Sequence, residues 1–203
     1  MVYFTSDIHF GHKNVIKHNA RPFSSVEEMD EAIISAWNKK VHANDTVYIV
    51  GDVTLDKDMA QYVTRLKGKK ILIRGNHDIY CQKEINRDIF EQVTRMEEVI
   101  LDGKRITLCH FPMIEWPGSR RMPEDRSYGY LVYGHIHNRV KPLYRRVLEA
   151  PNALNAGMDI HSFVPVCWEE LIENNRIFRE RALSLLDTLP EGESGIIAPD
   201  GTR

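Results

Sequence analysis

Seven side chains able to hold a cation fall into five clusters along the chain: Asp7 with His9, then Asp52, Asn76, His110, and His135 with His137. Residues i and i+2 of an extended segment point to one side, so Asp7 and His9 can share an ion, and His135 and His137 can face one site. Imidazole, carboxylate and amide oxygen together suit Mn, Fe, Zn or Ni, with Mn the first choice, and do not suit calcium, which prefers oxygen alone. Seven donors exceed the needs of one first-row ion. Two divalent ions bridged by one carboxylate would use them all.

Each cluster ends a β-rich apolar run. These runs are Val2-Tyr3-Phe4-Thr5, Thr46-Val47-Tyr48-Ile49-Val50, Ile71-Leu72-Ile73, Ile106-Thr107-Leu108-Cys109 and Tyr130-Leu131-Val132-Tyr133. All are apolar on both faces or nearly so, as expected of strands buried between layers. Between them, Met29, Ile33, Ala36 and Trp37 follow helical spacing from Val26, with Ser24 and Glu27 as a capping box. Met59, Val63 and Leu66 predict a second helix from Lys57, with Asp56 as its N-cap and Gly68 past its end. Trp168 to Asn174 reads as a further helix, and Arg176 to Leu189 as its continuation. Strands alternating with helices give an α/β architecture, and strand C-termini are where sites in such sheets assemble. Gly51, Gly75 and Gly134 precede ligand positions and are expected to let the backbone turn there. By alternation Cys109 faces away from His110, towards the core.

The chain has 203 residues with a formal charge of −2, 42% apolar and 28% charged. That suits one domain, taken as residues 1–190, followed by a loop-like tail at 191–203. No apolar run approaches the ~18–20 residues of a membrane span, and the start of the chain has no signal-peptide pattern. The three cysteines, Cys81, Cys109 and Cys167, are widely spaced and indicate no disulfide framework. A cytoplasmic protein is expected. The near-neutral charge does not indicate binding to nucleic acid through an overall field, and a phosphate substrate remains open because bound metal ions add charge. Nothing here indicates an oligomeric state.

Other residues are weighed against plainer roles. A lone histidine is usually structural, and His18, His42 and His161 are read so. His12 could reach a phosphate or cap the helix beginning near Lys13. Arg21, before Pro22, could clamp a phosphate oxygen, although a surface role competes. Seven basic residues lie between 117 and 146, namely Arg120, Arg121, Arg126, Arg139, Lys141, Arg145 and Arg146. Trp116, Tyr128 and Tyr130 flank this stretch and could stack on a base, or pack a loop in the case of Trp116.

Asp7-x-His9, Gly51-Asp52, Gly75-Asn76-His77-Asp78, His110 and Gly134-His135-Ile136-His137 resemble the calcineurin-like metallophosphoesterase family. The stretch from Phe4 to Asn14 is similar to a compact bacterial or phage branch of it. The resemblance implies a four-layer αββα sandwich with a dinuclear metal site at the strand C-terminal ends. It implies that Asp7, His9 and His137 hold one ion, Asn76, His110 and His135 the other, with Asp52 bridging. It also places His77 near the substrate phosphate, as the acid that protonates the leaving oxygen. Many relatives carry a second Asp three residues after the bridging one to orient that histidine; here the position is Leu55, leaving Asp78 to orient His77 or to brace the turn.

The expected chemistry is attack by a metal-bridging hydroxide on a phosphate ester, since bound ions bring the pKa of water from 15.7 towards ~7. The basic stretch tips the substrate towards a nucleotide-like phosphodiester. The alternatives are a broad phosphomonoesterase and, in another class, a non-catalytic metal-binding interaction scaffold.

Overall fold

Alternation along the strands builds the layers. In the computed structural model, which describes residues 1–86, 88–190 and 192–199, the first sheet is parallel throughout. It comprises β1 (Val2–Thr5), β2 (Thr46–Ile49), β3 (Lys69–Ile73) and β4 (Gln92–Thr94), in that spatial order. The second sheet is ordered β5 (Met96–Leu101), β6 (Lys104–Cys109), β7 (Gly129–Tyr133) and β9 (Ala153–Asn155), and only its β5–β6 pair is antiparallel. Three helices, α1 (Lys13–His18), α2 (Val26–Lys40) and α3 (Ala60–Val63), precede β4, while α4 (Arg145–Glu149) and α5 (Trp168–Leu186) flank β9.

Tyr3, Val47, Ile49 and Leu72 face outward from the first sheet onto Met29, Ile33 and Trp37 of α2. Phe4, Tyr48, Val50 and Ile73 face inward and meet Ile106, Leu108, Val132 and Leu154 of the second sheet. Leu131, Tyr133 and Ala153 leave that sheet on its other side, against Leu148, Phe178 and Ala182 of α4 and α5. The result is the expected helix–sheet–sheet–helix stack. Met29, Ile33 and Trp37 have no exposed surface, and burial of such side chains stabilises by ~1.5–3 kcal/mol each. Cys109 packs on the outer cluster, on the core side that alternation predicts.

Local details differ from the sequence expectations for identifiable reasons. The cap of α2 is one residue later, with Ser25 Oγ accepting from Glu28 N–H while Ser24 bonds the Glu28 carboxylate. Glu27 has no part in it. The helix expected from Lys57 shortens to α3, and Asp56 is not its cap. Asn86 Oδ1 instead accepts the N–H groups of Met59 and Ala60 from outside, and Asp56 accepts from the Tyr62 hydroxyl. The two C-terminal helical segments are the single helix α5.

In the tail, expected to be loop-like, Gly195–Ile196 forms β10 and pairs antiparallel with β8 (Arg139–Val140). Asn138 fixes the next residue, since its carbonyl accepts from Ile197 N–H and its side-chain amide donates to Ile197 O. Glu191 and residues 200–203 of that expected loop lie outside the described residues. Among the described residues no helix is long and apolar enough to cross a membrane.

Candidate metal centre

The strand ends deliver their side chains to one edge of the paired sheets. Asp7 and His9 follow β1, Asp52 follows β2, Asn76 and His77 follow β3, His110 follows β6, and His135 and His137 follow β7. The turns are tight enough that Asp7, His9, Asp52, His135 and His137 all take left-handed backbone conformations, with φ between 54° and 71°. Such conformations cost of order 1–3 kcal/mol each in non-glycine residues and persist only where neighbours hold them. Asp7 does so by accepting the His135 N–H at 3.0 Å through both carboxylate oxygens. Asp78 does so for the Asp52 turn, accepting the N–H groups of Asp52, Val53 and Gly75, each at 2.8 Å. Asp78 therefore braces the turn.

Two of the glycines serve close approach rather than turning. A Cβ at Gly134 would press on Ser6 and lie 2.7 Å from Asp7 Oδ2, and one at Gly75 would strike the Asp52 carboxylate. Neither has a positive φ.

Two donor groups result. Ligand atoms of Asp7, His9 and His137 lie within 4.8 Å of one another, as do those of Asp52, His110 and His135. Asn76 Oδ1 joins the second group, 3.1 Å from His135 Nδ1. Asp52 lies between the groups, with Oδ2 3.3 Å from His110 Nε2 and 3.7 Å from His9 Nε2.

These donors fit a cation. His110 Nδ1 donates to the Val50 carbonyl at 2.8 Å, which directs the lone pair of Nε2 into the site. The Nε2 atoms of His9 and His110 are buried without a hydrogen-bond partner, a costly arrangement unless something else occupies them. Burial and the neighbouring His137 push the His9 pKa well down, keeping it a neutral donor. Burial opposes charge on His110, yet Asp52 and Asp7 outweigh it and raise its pKa to about 9. A site that draws a proton onto a buried imidazole is one whose carboxylates call for positive charge, and a dication supplies it in the proton's place.

Supporting residues complete the picture. Asp159 Oδ2 lies 2.8 Å from His137 Nδ1, and Asp159 accepts from Arg21 at 2.8 and 3.2 Å. The Asp159 carboxyl is fully buried, which opposes its ionisation, but Arg21 and His137 hold its pKa well below the usual range. Arg21 is itself buried and donates to the carbonyls of Asp7 and Ile8. It therefore does not reach a substrate. The expected phosphate clamp is a brace beneath the first ligand loop, satisfied entirely by internal acceptors. Sequence reasoning did not find Asp159; recognising Ala153-Leu154-Asn155 as another strand would have flagged the acid that follows it.

His77 lies outside both donor groups. Its N–H donates to Asp52 Oδ1 at 2.9 Å, its Nε2 is 3.8 Å from Asp52 Oδ2, and its ring centroid is 5.2 Å from that of His9. His12 stands at the N-cap of α1 without a side-chain capping bond, its Nδ1 3.4 Å from His9 Nδ1. Both line an open cleft of about 280 Å³ with His9, Asp52, Asn76, His135 and His137.

The basic stretch does not form one surface. Arg120 pairs with Glu115, Arg121 with Asp125 and Arg145 with Glu149 and Asp187, while Arg139 and Lys141 line the cleft. Trp116 is buried and donates to Gly129 O, so it packs its loop; Tyr128 stacks edge-on with Tyr130, and neither lines the cleft. Tyr144, not singled out in the sequence, does. Of the histidines read as structural, His161 is buried between Asn155 and Asn174, whereas His18 borders the cleft.

The chain is 30% identical to an uncharacterised protein of Methanocaldococcus jannaschii over 88% of its own length and 94% of that protein's. It is 27% identical to the gene 66 protein of Mycobacterium phage L5, covering 87% and 91%. Among solved structures, a protein of unknown function from Aquifex aeolicus superposes with a TM-score of 0.63 at 28% identity, covering 85% of this chain and 98% of that one. The model of the calcineurin-like phosphoesterase superfamily domain matches residues 1–157, a span that takes in every strand of both sheets and every donor of both groups. By that match, on loops so arranged, this chain belongs to the calcineurin-like phosphoesterase superfamily, whose members act on phosphate esters.

Proposed function

We propose that the protein is a two-ion, metal-dependent phosphodiesterase acting on small nucleotide-like substrates in the cytoplasm. The observation that carries this reading is the position of Asp52 between two donor groups on the floor of an open cleft. Asp7, His9 and His137 would hold one ion and Asn76, His110 and His135 the other, with Asp52 shared and Mn the metal of first choice. Bound there, the ions supply Lewis acidity towards a phosphate and make hydroxide available near neutral pH.

The chain's own residues supply the rest. His77 faces the cleft beside the shared carboxylate and can give its proton to the departing oxygen, a contribution typically of ~10²–10⁴-fold. His12, on the same side, can donate to a phosphate oxygen. Arg139, Lys141 and Tyr144 line the same cleft as the donors and offer complementary charge and a ring face to an anionic, ring-bearing substituent.

The test is to load the protein with Mn and compare bis-p-nitrophenyl phosphate with p-nitrophenyl phosphate. Faster turnover of the diester is expected. Dominant monoester turnover would replace this reading with a broad phosphomonoesterase, and less than one ion per chain with no turnover would leave an interaction scaffold.

A further inference from the structure

Part of the cleft wall is not needed by the reaction itself. Arg139 and Lys141 lie on it with Tyr144, contributed by β8 and the residues after it. Among the described residues no carboxylate lies within ion-pair distance of either cation, although Arg120, Arg121 and Arg145 nearby in sequence all have acidic partners. Arg139 is instead held by neutral acceptors, the Asn19 side-chain oxygen at 3.2 Å and the His18 carbonyl at 3.4 Å. These bonds orient the guanidinium without neutralising it. Lys141 rests over the Tyr144 ring, 5.9 Å from its centroid.

The wall is also fixed in place. Arg139 pairs with Ile196 across the β8–β10 ribbon, and Asn138 is bonded to Ile197 through both its carbonyl and its side-chain amide. The Asn138 amide also donates to the Asn19 carbonyl, so ribbon and α1 are joined beside the cleft. Asn19 Nδ2 in turn lies 2.7 Å from His137 Nδ1, so this junction stands beside the donor group. Two oriented cations without acidic partners among the described residues, on a hydrogen-bonded ribbon lining the same cleft as the donors, are arranged to receive a second anion.

Resting on the phosphodiesterase reading, we propose that Arg139 and Lys141 bind a second phosphate of the substrate, one nucleotide away from the phosphate being cleaved, while Tyr144 flanks the intervening nucleoside. The preferred substrate is then a nucleotide phosphodiester that carries an additional terminal phosphate.

The experiment uses the Mn-loaded full chain and the p-nitrophenyl ester of a nucleotide, with and without a second phosphate on its ribose. The wild-type protein is expected to have a KM about tenfold lower for the doubly phosphorylated ester. The Arg139→Gln and Lys141→Gln variants are expected to bring the two KM values to near equality. Equal KM values for both esters in the wild type, with turnover of each, overturn this proposal and leave the phosphodiesterase reading standing. A preference that survives both substitutions also overturns it. No turnover of either ester by metal-loaded protein overturns the phosphodiesterase reading, and this inference with it.

Discussion

Asp159 Oδ2 lies 2.8 Å from His137 Nδ1, and the two side chains join a buried guanidinium to a candidate metal donor. The contact fixes the imidazole so that Nε2, 3.6 Å from Asp7 Oδ1, faces the donor group. A carboxylate behind a ligating histidine typically accounts for 10–100-fold in metal affinity. Asp159→Asn should therefore weaken the ion held by Asp7, His9 and His137 by about that factor, read by metal titration. It should also lower stability, because Arg21 loses its buried counter-charge. Unchanged affinity for both ions in a folded variant would show that His137 needs no such support.

Asp52 Oδ2 lies 3.3 Å from His110 Nε2 of one donor group and 3.7 Å from His9 Nε2 of the other. Asp52→Asn removes the shared negative charge but keeps the shape, including an oxygen able to accept the His77 N–H. The expected outcome is loss of turnover with weaker binding of both ions, measured by metal analysis after dialysis. If two ions remain per chain and activity persists, Asp52 does not bridge.

His77 belongs to neither donor group, although its Nε2 comes within 3.8 Å of Asp52. His77→Ala should lower turnover by about 10²–10⁴-fold, the usual worth of a positioned acid, while metal content stays at the wild-type level. Loss of an ion would make it a ligand instead. Nothing at Leu55 orients it, since that side chain is 40% exposed, and Asp56 is taken by the Tyr62 hydroxyl. The ring neighbours those of His9 and His12, with centroids 5.2 and 6.3 Å away.

The donors were legible in the sequence because each follows an apolar run that could only be a buried strand, as Asp7 follows Val2–Thr5 and His135 follows Gly129–Tyr133. The supports were not. Arg21 precedes Pro22 in a stretch with no periodicity, and its burial depends on Asp159, 138 residues later. Asp159 follows β9, whose Ala-Leu-Asn is too short to announce a strand. The left-handed backbone of Asp7, His9 and His137 left no trace either, because tertiary hydrogen bonds rather than glycine hold those turns. The same limit applies to the ribbon: Gly195-Ile196 reads as loop until β8 is there to pair with it. Long-range partners, not local propensity, decided all four.

His161 gives the fold a pH dependence separate from the metal centre. Its Nε2–H donates to the Asn155 carbonyl at 2.8 Å, and Nδ1, 3.0 Å from the Asn174 amide nitrogen, accepts from it. The ring is thus held neutral, and burial brings its pKa down to about 4 from 6.5. Between those values the unfolded chain binds the proton more readily than the native one, so stability rises with pH. The contribution is complete above pH 6.5 and is lost as pH falls towards 4, by up to about 3 kcal/mol for a shift of this size. His161→Gln keeps a donor and an acceptor without a titrating group. Urea unfolding of both proteins at pH 7 and near pH 4 should show the advantage of wild type over the variant shrinking at the acid end. An advantage that is constant across this range would mean that His161 can charge in place, and that its neutral hydrogen-bonded tautomer does not govern its stability.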